Sequence, residues 1–418
     1  MHIKELYTLY LNNPVICTDS RKIIADSIFF ALKGDNFNGN KFAEEAINKN
    51  CTYAIIDEPI SKRDSNIILV NNVLETLQEL ATYHRNQLNI PIIGITGTNG
   101  KTTSKELIKS VLSSERNCYA TKGNLNNHIG VPLSILEINN KHDIAIIEMG
   151  ANHQKEIEFL CNISKPTHGT ITNIGSAHLE GFGNLQGVIK TKNELYEHLH
   201  ENNGIAFVNS NDELLVDLSK NLGRSTYGTQ GDCLGKITKN TPFISLNFHD
   251  IDINSKLIGG YQFNNIMLAI CIGEFFGISD KNIKTAIEKY IPTNNRSEII
   301  NTTKNTLILD AYNANPSSMK VMLTSFSEQD YKNKLCILGD MLELGDYSVS
   351  EHKIIVDLIK ELKLEAILIG EEFSKISQGA LKNREEFEKF LKSNPIQNKT
   401  ILLKGSRGIG LEKLKELL

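Results

Sequence analysis

The run Thr96-Gly97-Thr98-Asn99-Gly100-Lys101-Thr102-Thr103 gathers two glycines, a lysine and several hydroxyls. Before it stand Pro91, Ile92, Ile93, Gly94 and Ile95, mostly β-prone; after it Leu107 and Val111, then Ile108 and Leu112, pair at i,i+4 spacing. The pattern is strand, glycine loop, helix. Backbone N–H groups of such a loop wrap phosphate oxygens, and the helix N-terminus adds a favourable dipole. Lys101 would reach the β- and γ-phosphates, and the Thr102 hydroxyl would ligate Mg²⁺. The strict pattern has a glycine where Ile95 stands, so only GTNGKT matches. The competing reading is a chance glycine turn before a helix.

Three further side chains have the chemistry to join this loop. Glu148 ends the buried-strand pattern Asp143–Met149, and ligands of open α/β sheets sit at the carboxyl ends of strands. A glutamate there can hold a nucleotide-bound Mg²⁺, directly or through water. His178 lies in the loop Gly175–Gly181, which follows a strand expected over Gly169–Ile174 on the same edge. A lone loop histidine is ordinarily just exposed; its place after this strand gives it interest. Lys192 falls on the apolar stripe Val188, Leu195, Leu199 of a helix expected over Leu185–Leu199, whereas Lys190 faces the other way. A lysine on a buried stripe either snorkels to water or is a neutral amine with depressed pKa. Such an amine can capture CO₂ as a carbamate, an anion able to bind Mg²⁺. Two Mg²⁺ can then be held, one by Thr102, Glu148 and phosphates, the other by His178 and carbamylated Lys192. The chemistry such a set would serve is in-line phosphoryl transfer, where catalysis is mostly positioning and charge neutralisation. No Ser–His–Asp or Cys–His pattern stands out, so the nucleophile belongs to the substrate.

These residues need an α/β scaffold, and the chain supplies three units. Residues 1–88 carry strands expected at Ile28–Leu32, Cys51–Ile56 and Ile67–Val70, and a helix at Val73–Leu88 whose polar end, His84–Asn89, reads as a linker. Two polar loops, Thr18–Lys22 and Gly34–Asn40, stand out there. Residues 89–295 hold the phosphate loop, and Lys122–Gly130 adds a loop rich in Asn and Gly, suited to sugar or phosphate contacts. Pro292–Asn295 reads as a hinge just before Arg296. Residues 296–418 alternate strands (Thr306–Asp310, Leu335–Gly339, Ala366–Gly370, Thr400–Lys404) with helices (Pro316–Phe326, Ser350–Leu362, Glu385–Leu391, Leu411–Leu418). That is a Rossmann-like unit with a parallel sheet. It lacks GxGxxG, so it is not expected to bind a dinucleotide. Its loops after Asp310 and Lys404 should open on one edge.

Composition agrees with a globular enzyme. A length of 418 residues suggests two to three domains. The net charge of −4 comes without long runs of either sign, so neither nucleic acid nor an anionic membrane is expected as partner. The seven cysteines are scattered without CxxC, as for free thiols in a reducing cytosol. MHIKELYTLY has no signal-peptide pattern, and no apolar run is long enough to span a bilayer, so a soluble cytoplasmic protein is expected.

With GITGTNGKTT (94–103), GNLNNHIGVPLS (123–134), IIEMGANHQKEI (146–157), TNIGSAHLEGFG (172–183), DAYNANPSSM (310–319) and ILGDMLELG (337–345), the sequence resembles the Mur ligase superfamily over almost its whole length. These are ATP-dependent amide-forming enzymes of peptidoglycan synthesis. The last two motifs point to the branch that adds D-Ala-D-Ala. The resemblance implies three domains: a small α/β substrate domain (1–88) that binds the UDP part, a central P-loop ATPase-like domain (89–295) and a C-terminal Rossmann-like domain (296–418). It implies that Gly97, Thr98, Asn99, Gly100, Lys101, Thr102 and Thr103 hold the triphosphate, and that Thr102 and Glu148 attend one Mg²⁺ while His178 and carbamylated Lys192 attend the second. Arg296 resembles a hinge arginine that meets the γ-phosphate. Asp310, Tyr312 and Asn313 resemble the third domain's nucleotide contacts. Asn126 and Asn127, and Ser20 and Arg21, resemble contacts to the nucleotide-sugar substrate, the latter pair on its uridine side. The chain departs from the family pattern at Asn40, where members often carry His, and at Ala311, where many carry Ser; neither is a metal position.

The activity so implied joins D-Ala-D-Ala to UDP-N-acetylmuramoyl-tripeptide through an acyl phosphate, giving ADP and phosphate, in a monomer working in cell-wall synthesis, cell shape and division. The third residue of the peptide, lysine or diaminopimelate, is left open. A ligase of the same superfamily adding lysine or diaminopimelate is the nearest alternative. A nucleotide-gated binding module would lack one of the metal or phosphate residues, and a switch NTPase would need an arginine finger.

Overall fold

The computed structural model describes residues 2–60, 64–293 and 295–418. Its centre is a seven-stranded parallel sheet in the order Cys233–Leu234, Gly223–Gly228, Ile205–Asn209, His168–Ile171, Ile92–Thr96, Ile144–Glu148, Cys118–Ala120. Ile92–Thr96 is buried on both faces, as its unbroken apolar run requires. The strand order reverses at this strand, so the crevice at its carboxyl end is the natural ligand position. That edge gathers the glycine loop, Glu148 and the segment Thr172–Gly175. Helix Lys101–Leu112 buries Leu107, Ile108, Val111 and Leu112, each contributing about 2 kcal/mol. It packs with helix Phe263–Phe275, which is buried almost all round because it lies between sheet and neighbours.

In the first unit the order of strands is Ile16–Cys17, Ile28–Phe30, Tyr53–Ile56, Ile67–Leu69, all parallel. Helix Val73–Arg85 starts at Asn72, whose side chain accepts the Glu75 N–H. Its end, expected to be a linker, is instead an anchor: His84 and Arg85 are buried. The Arg85 guanidinium donates to the carbonyls of Ser164 (2.8 Å), Leu88 (2.8 Å) and Lys165 (2.9 Å). Asn40 is buried structure: it donates to Asn38 and Asp57 side chains and accepts the Asp57 N–H.

The third unit's sheet runs Glu298–Asn301, Thr306–Asp310, Thr400–Lys404, Lys334–Gly339, Ala366–Ile369. The four strands expected there pair in parallel, and the sheet is mixed only because an edge strand that was not expected, Glu298–Asn301, pairs antiparallel. That strand turns directly into its neighbour, which only an antiparallel pair allows. The last segment is a 3₁₀ helix, Leu411–Glu416, rather than the α-helix expected over Leu411–Leu418. A three-stranded antiparallel sheet, Lys236–Lys239, Phe243–Phe248 and Ile251–Ile258, precedes helix Phe263–Phe275 and was not expected. The hinge expected at Pro292–Asn295 includes Asn294, which lies outside the described residues. No described helix is long and apolar enough to cross a membrane, and all seven cysteines are free and buried.

Candidate active site

The glycine loop closes tightly. Gly97 (φ 140°) and Gly100 (φ 80°) take conformations that side chains rarely adopt. A Cβ on Gly97 would stand 2.1 Å from Thr172 Oγ1. The neighbouring strand end braces the loop: the Thr98 N–H donates to the Asn173 carbonyl (2.9 Å) and the Asn99 N–H to Asn173 Oδ1 (3.0 Å). Two loop amides expected to face phosphate are therefore engaged. The first-turn amides of Lys101, Thr102 and Thr103 have no intrahelical acceptor and are left open. The Lys101 ammonium folds back onto the Gly97 and Thr98 carbonyls. Burial lowers its pKa to about 8, against the pull of Glu148 and with the push of Arg296.

Glu148 ends its strand fully inside. The Thr102 hydroxyl lies within 3.1 Å and 3.0 Å of its two oxygens, and Asn126 Nδ2 donates to Oε1 (2.9 Å). Lys105 Nζ stands 3.3 Å from Oε2 and has no exposure at all. Asn126 thus belongs to this oxygen cluster, and Asn127 spends its side-chain oxygen on the N–H groups of Ile129 and Gly130 (3.1 and 2.9 Å). The helix Leu185–Glu201 is held by Asn184 at its start and by Glu194, which accepts the N–H groups of Lys155 (2.8 Å) and Glu158 (2.9 Å). It buries Lys192 and leaves Lys190 exposed. Burial, then the nearby Lys101 charge, lowers the Lys192 pKa to about 7. Its ammonium sits 5.4 Å from the ring centre of Phe182 and makes no ion pair among the described residues. Phe182 also packs edge-on against His178, 6.3 Å between ring centres.

The third unit faces this edge. Arg296 lies over the Tyr312 ring (3.8 Å), its buried Nε without a partner. Asp310 is paired with Lys404 (2.6 Å) and accepts the Ser297 N–H (3.1 Å). The Asn313 side chain accepts the Ala314 N–H, and Asn315 reaches across to Asn99 Oδ1 (2.9 Å). Glu343 contacts His178 Nδ1. Between the two units lies a cleft of about 1170 Å³, lined by residues 97–103, Asn126, Asn127, Glu148, His178, Lys192, Arg296, Asp310, Tyr312 and Asn313. Ser20 and Arg21 do not line it; Ser20 is buried in a 3₁₀ turn, and Arg21 is exposed and paired with Asp19.

Lys404 lies on the edge where the sequence placed it, beside Asp310, whereas several lining or supporting residues were given no role by the sequence reading: Lys105, Asn173, Gln262, Asn265 and Glu343. Lys105 continues the buried stripe of Ile108 and Leu112, so the spacing that singles out Lys192 also marks it. Asn265 accepts from Ser104 (3.0 Å) and receives no such signal, being one polar residue on a nearly all-buried helix.

Residues 95–273 match the Mur ligase middle domain, and residues 295–407 match the Mur ligase glutamate ligase domain. The UDP-N-acetylmuramoyl-tripeptide–D-alanyl-D-alanine ligase of Bacillus subtilis is 33% identical over 427 residues, covering 96% of this chain and 93% of the relative. The chain belongs to the Mur ligase family. The membership extends to three-dimensional structure. A MurF crystal structure from Acinetobacter baumannii superposes with a TM-score of 0.86 at 31% identity, over 96% of this chain and 92% of that one. The MurF ligase of Thermotoga maritima in complex with ADP gives 0.84 at 26% identity, over 97% of each.

Proposed function

We propose that this Mur ligase uses ATP to join D-Ala-D-Ala to UDP-N-acetylmuramoyl-tripeptide in peptidoglycan precursor synthesis. The observation that carries the nucleotide site is the gathering of Lys101, Lys192 and Arg296 on one cleft beside Thr102 and Glu148. Two of these cations have depressed pKa values and press on one another. Three cations that converge on one cleft, none of them closed by a side-chain ion pair among the described residues, ask for an anion, and a triphosphate fits.

The terminal carboxylate of the tripeptide attacks the γ-phosphorus, the bond to the β,γ-bridging oxygen breaks, and ADP leaves. The dipeptide amine then attacks the acyl carbon, phosphate departs with the C–O bonding pair, and the nitrogen loses a proton. Lys101 and the first-turn amides bind the phosphates, and Arg296 meets the γ-phosphate from the opposite wall. Asp310, Tyr312 and Asn313 face the nucleotide, Asn126 and Asn127 the sugar substrate, and Ser20 and Arg21 its uridine end.

The donor set suits Mg²⁺. No described cluster of three His, Cys, Asp or Glu forms a self-sufficient cage, and Mg²⁺ is normally held by one or two carboxylates plus phosphates. Thr102 with Glu148 offers hard oxygens for one ion; His178 with Lys192 as carbamate offers a second site. When bound, the ions offset the repulsion between a carboxylate and an anionic phosphate. The working division is 1–88, 89–295 and 296–418. The enzyme is read as a monomer, and nucleotide-linked substrates fit a cytoplasmic reaction.

The test is ATP-dependent phosphate release with UDP-N-acetylmuramoyl-tripeptide, with D-Ala-D-Ala present or replaced by single amino acids. Release that needs the dipeptide, with a product heavier by that dipeptide, supports the reading. Release with lysine or diaminopimelate and the muramoyl-dipeptide instead would move the enzyme one step earlier.

A further inference from the structure

One charged contact at the cleft lies outside the roles assigned above: the carboxylate of Glu343, from the third unit, rests on Nδ1 of His178, from the central unit. The loop bearing Glu343 is built rather than slack. The Met341 N–H donates to His352 Nε2 (3.0 Å), the Leu342 N–H to Ser406 Oγ (2.9 Å), and the Ser406 N–H to the Asp340 carbonyl (3.0 Å). Beyond these pins the chain turns sharply, with Glu343 at φ 64° and Gly345 at φ 53°. A glutamate in the left-handed region is uncommon and is held there by its surroundings. The turn carries the loop onto the segment 178–183. A Cβ on Gly345 would lie 3.3 Å from Glu180 Cβ, and the Tyr347 hydroxyl reaches the Gly183 carbonyl (3.4 Å). His178 itself sits at φ 50°.

We propose that Glu343 is a positioning residue, supplied by the third unit, whose carboxylate pairs with the Nδ1 side of His178 and so leaves Nε2 to the divalent cation. This rests on the reading of His178 as a ligand. A metal-binding histidine characteristically donates its second ring nitrogen to a carboxylate, which fixes the tautomer and ring orientation and raises basicity. Here that carboxylate comes from a different unit, so the support exists only while the two units are docked. The Glu343 side chain is 56% exposed against 27% for His178, which places the carboxylate at the rim, where it can leave without unfolding anything. Cation affinity and docking are then linked and reciprocal: whatever strengthens one strengthens the other.

The test counts Mn²⁺ bound, by electron paramagnetic resonance of the free ion, in the presence of a non-hydrolysable ATP analogue. The chains are wild type, Glu343→Ala and His178→Ala. Two ions are expected in the wild type. Glu343→Ala should weaken the second by roughly ten- to hundredfold and leave the first unchanged, and His178→Ala should weaken the second at least as much. Wild-type affinity in Glu343→Ala with weakened binding in His178→Ala overturns this proposal and leaves the ligand reading standing. A single ion in the wild type, or unchanged binding in His178→Ala, removes the ligand reading and this proposal with it.

Discussion

Replacing Lys192 by Met keeps the length and apolar stem of the side chain and removes the amine. The pKa falls from 10.5 to about 7, and at 1.36 kcal/mol per pH unit this corresponds to roughly 5 kcal/mol of unfavourable burial of the charged form. Local relaxation and water penetration reduce that figure, leaving about 1–4 kcal/mol. The sign follows from linkage. Between pH 7 and 10.5 the unfolded chain binds the proton and the folded chain does not, so wild-type stability rises with pH across that window. In CO₂-free buffer, Lys192→Met should therefore melt higher than wild type at pH 6.5 by scanning calorimetry, with the gap nearly closed at pH 10. Its phosphate release should drop at least a hundredfold, with no rescue by bicarbonate; Lys192→Ala, which leaves space, should regain part of its activity with small carboxylates. A Lys192→Met variant that is as active as wild type, or less stable at both pH values, would sink the reasoning.

Three other outcomes follow from the geometry. Gly97→Ala forces a Cβ toward Thr172 Oγ1 at 2.1 Å and the Thr172 nitrogen at 3.0 Å; fluorescence titration with ADP should show at least tenfold weaker binding, with stability lowered by about 1–3 kcal/mol. Arg85→Met strips three carbonyls of their donor and should lower the unfolding midpoint by an amount equivalent to about 3–5 kcal/mol, with KM for ATP unchanged because the cleft is elsewhere; a neutral effect on the midpoint would show that water replaces the guanidinium. Glu148→Gln should raise the Mg²⁺ concentration for half-maximal activity by about tenfold or more, while ADP binding without metal improves or holds, since a negative charge has left the phosphate pocket; equal Mg²⁺ dependence in both proteins would remove Glu148 from the metal site.

What the sequence made legible was burial and order along the chain. The i,i+4 pairs after Lys101, the strand ending at Glu148 and the apolar stripe around Lys192 are each local patterns, and each lies where periodicity puts it. Partners were not legible. Glu148 with Lys105, Asp310 with Lys404, Asn99 with Asn315 and His178 with Glu343 join segments distant in sequence, and a period says which side is buried without saying what waits there. The missed antiparallel sheet divides the same way. Ile251–Ile258 alternates and could have been read, whereas Lys236–Lys239 is exposed throughout and offers no alternation at all. His84 and Arg85 misled because polarity normally marks a linker; here carbonyls at the end of a neighbouring helix absorb the charge.

The two junctions of the chain differ in extent, and the difference bears on how the cleft works. The first and central units share one apolar core, in which Leu6, Tyr10, Leu77 and Leu80 pack with Val131, Ile135 and Leu160. His84 Nε2 and the Tyr10 hydroxyl add polar contacts to the Ile138 and Leu136 carbonyls. Separating them would expose that core. The third unit meets the central one in a smaller apolar seam, where Ile258, Phe243 and Tyr261 pack with Met319, Met322 and Phe326, and at the cleft itself through single polar contacts: Asn315 with Asn99, Glu343 with His178, Tyr347 with Gly183. Each is individually worth about 1 kcal/mol and can be exchanged for water. The Arg296 charge weighs further against a tight union without ligand, since it lowers the Lys101 pKa across the cleft. A bound triphosphate reverses the sign of that term, turning mutual repulsion into shared attraction. On the proposed placement of the triphosphate, the anion consumed in the reaction is therefore also what favours the docked arrangement in which Arg296 and Glu343 reach their partners.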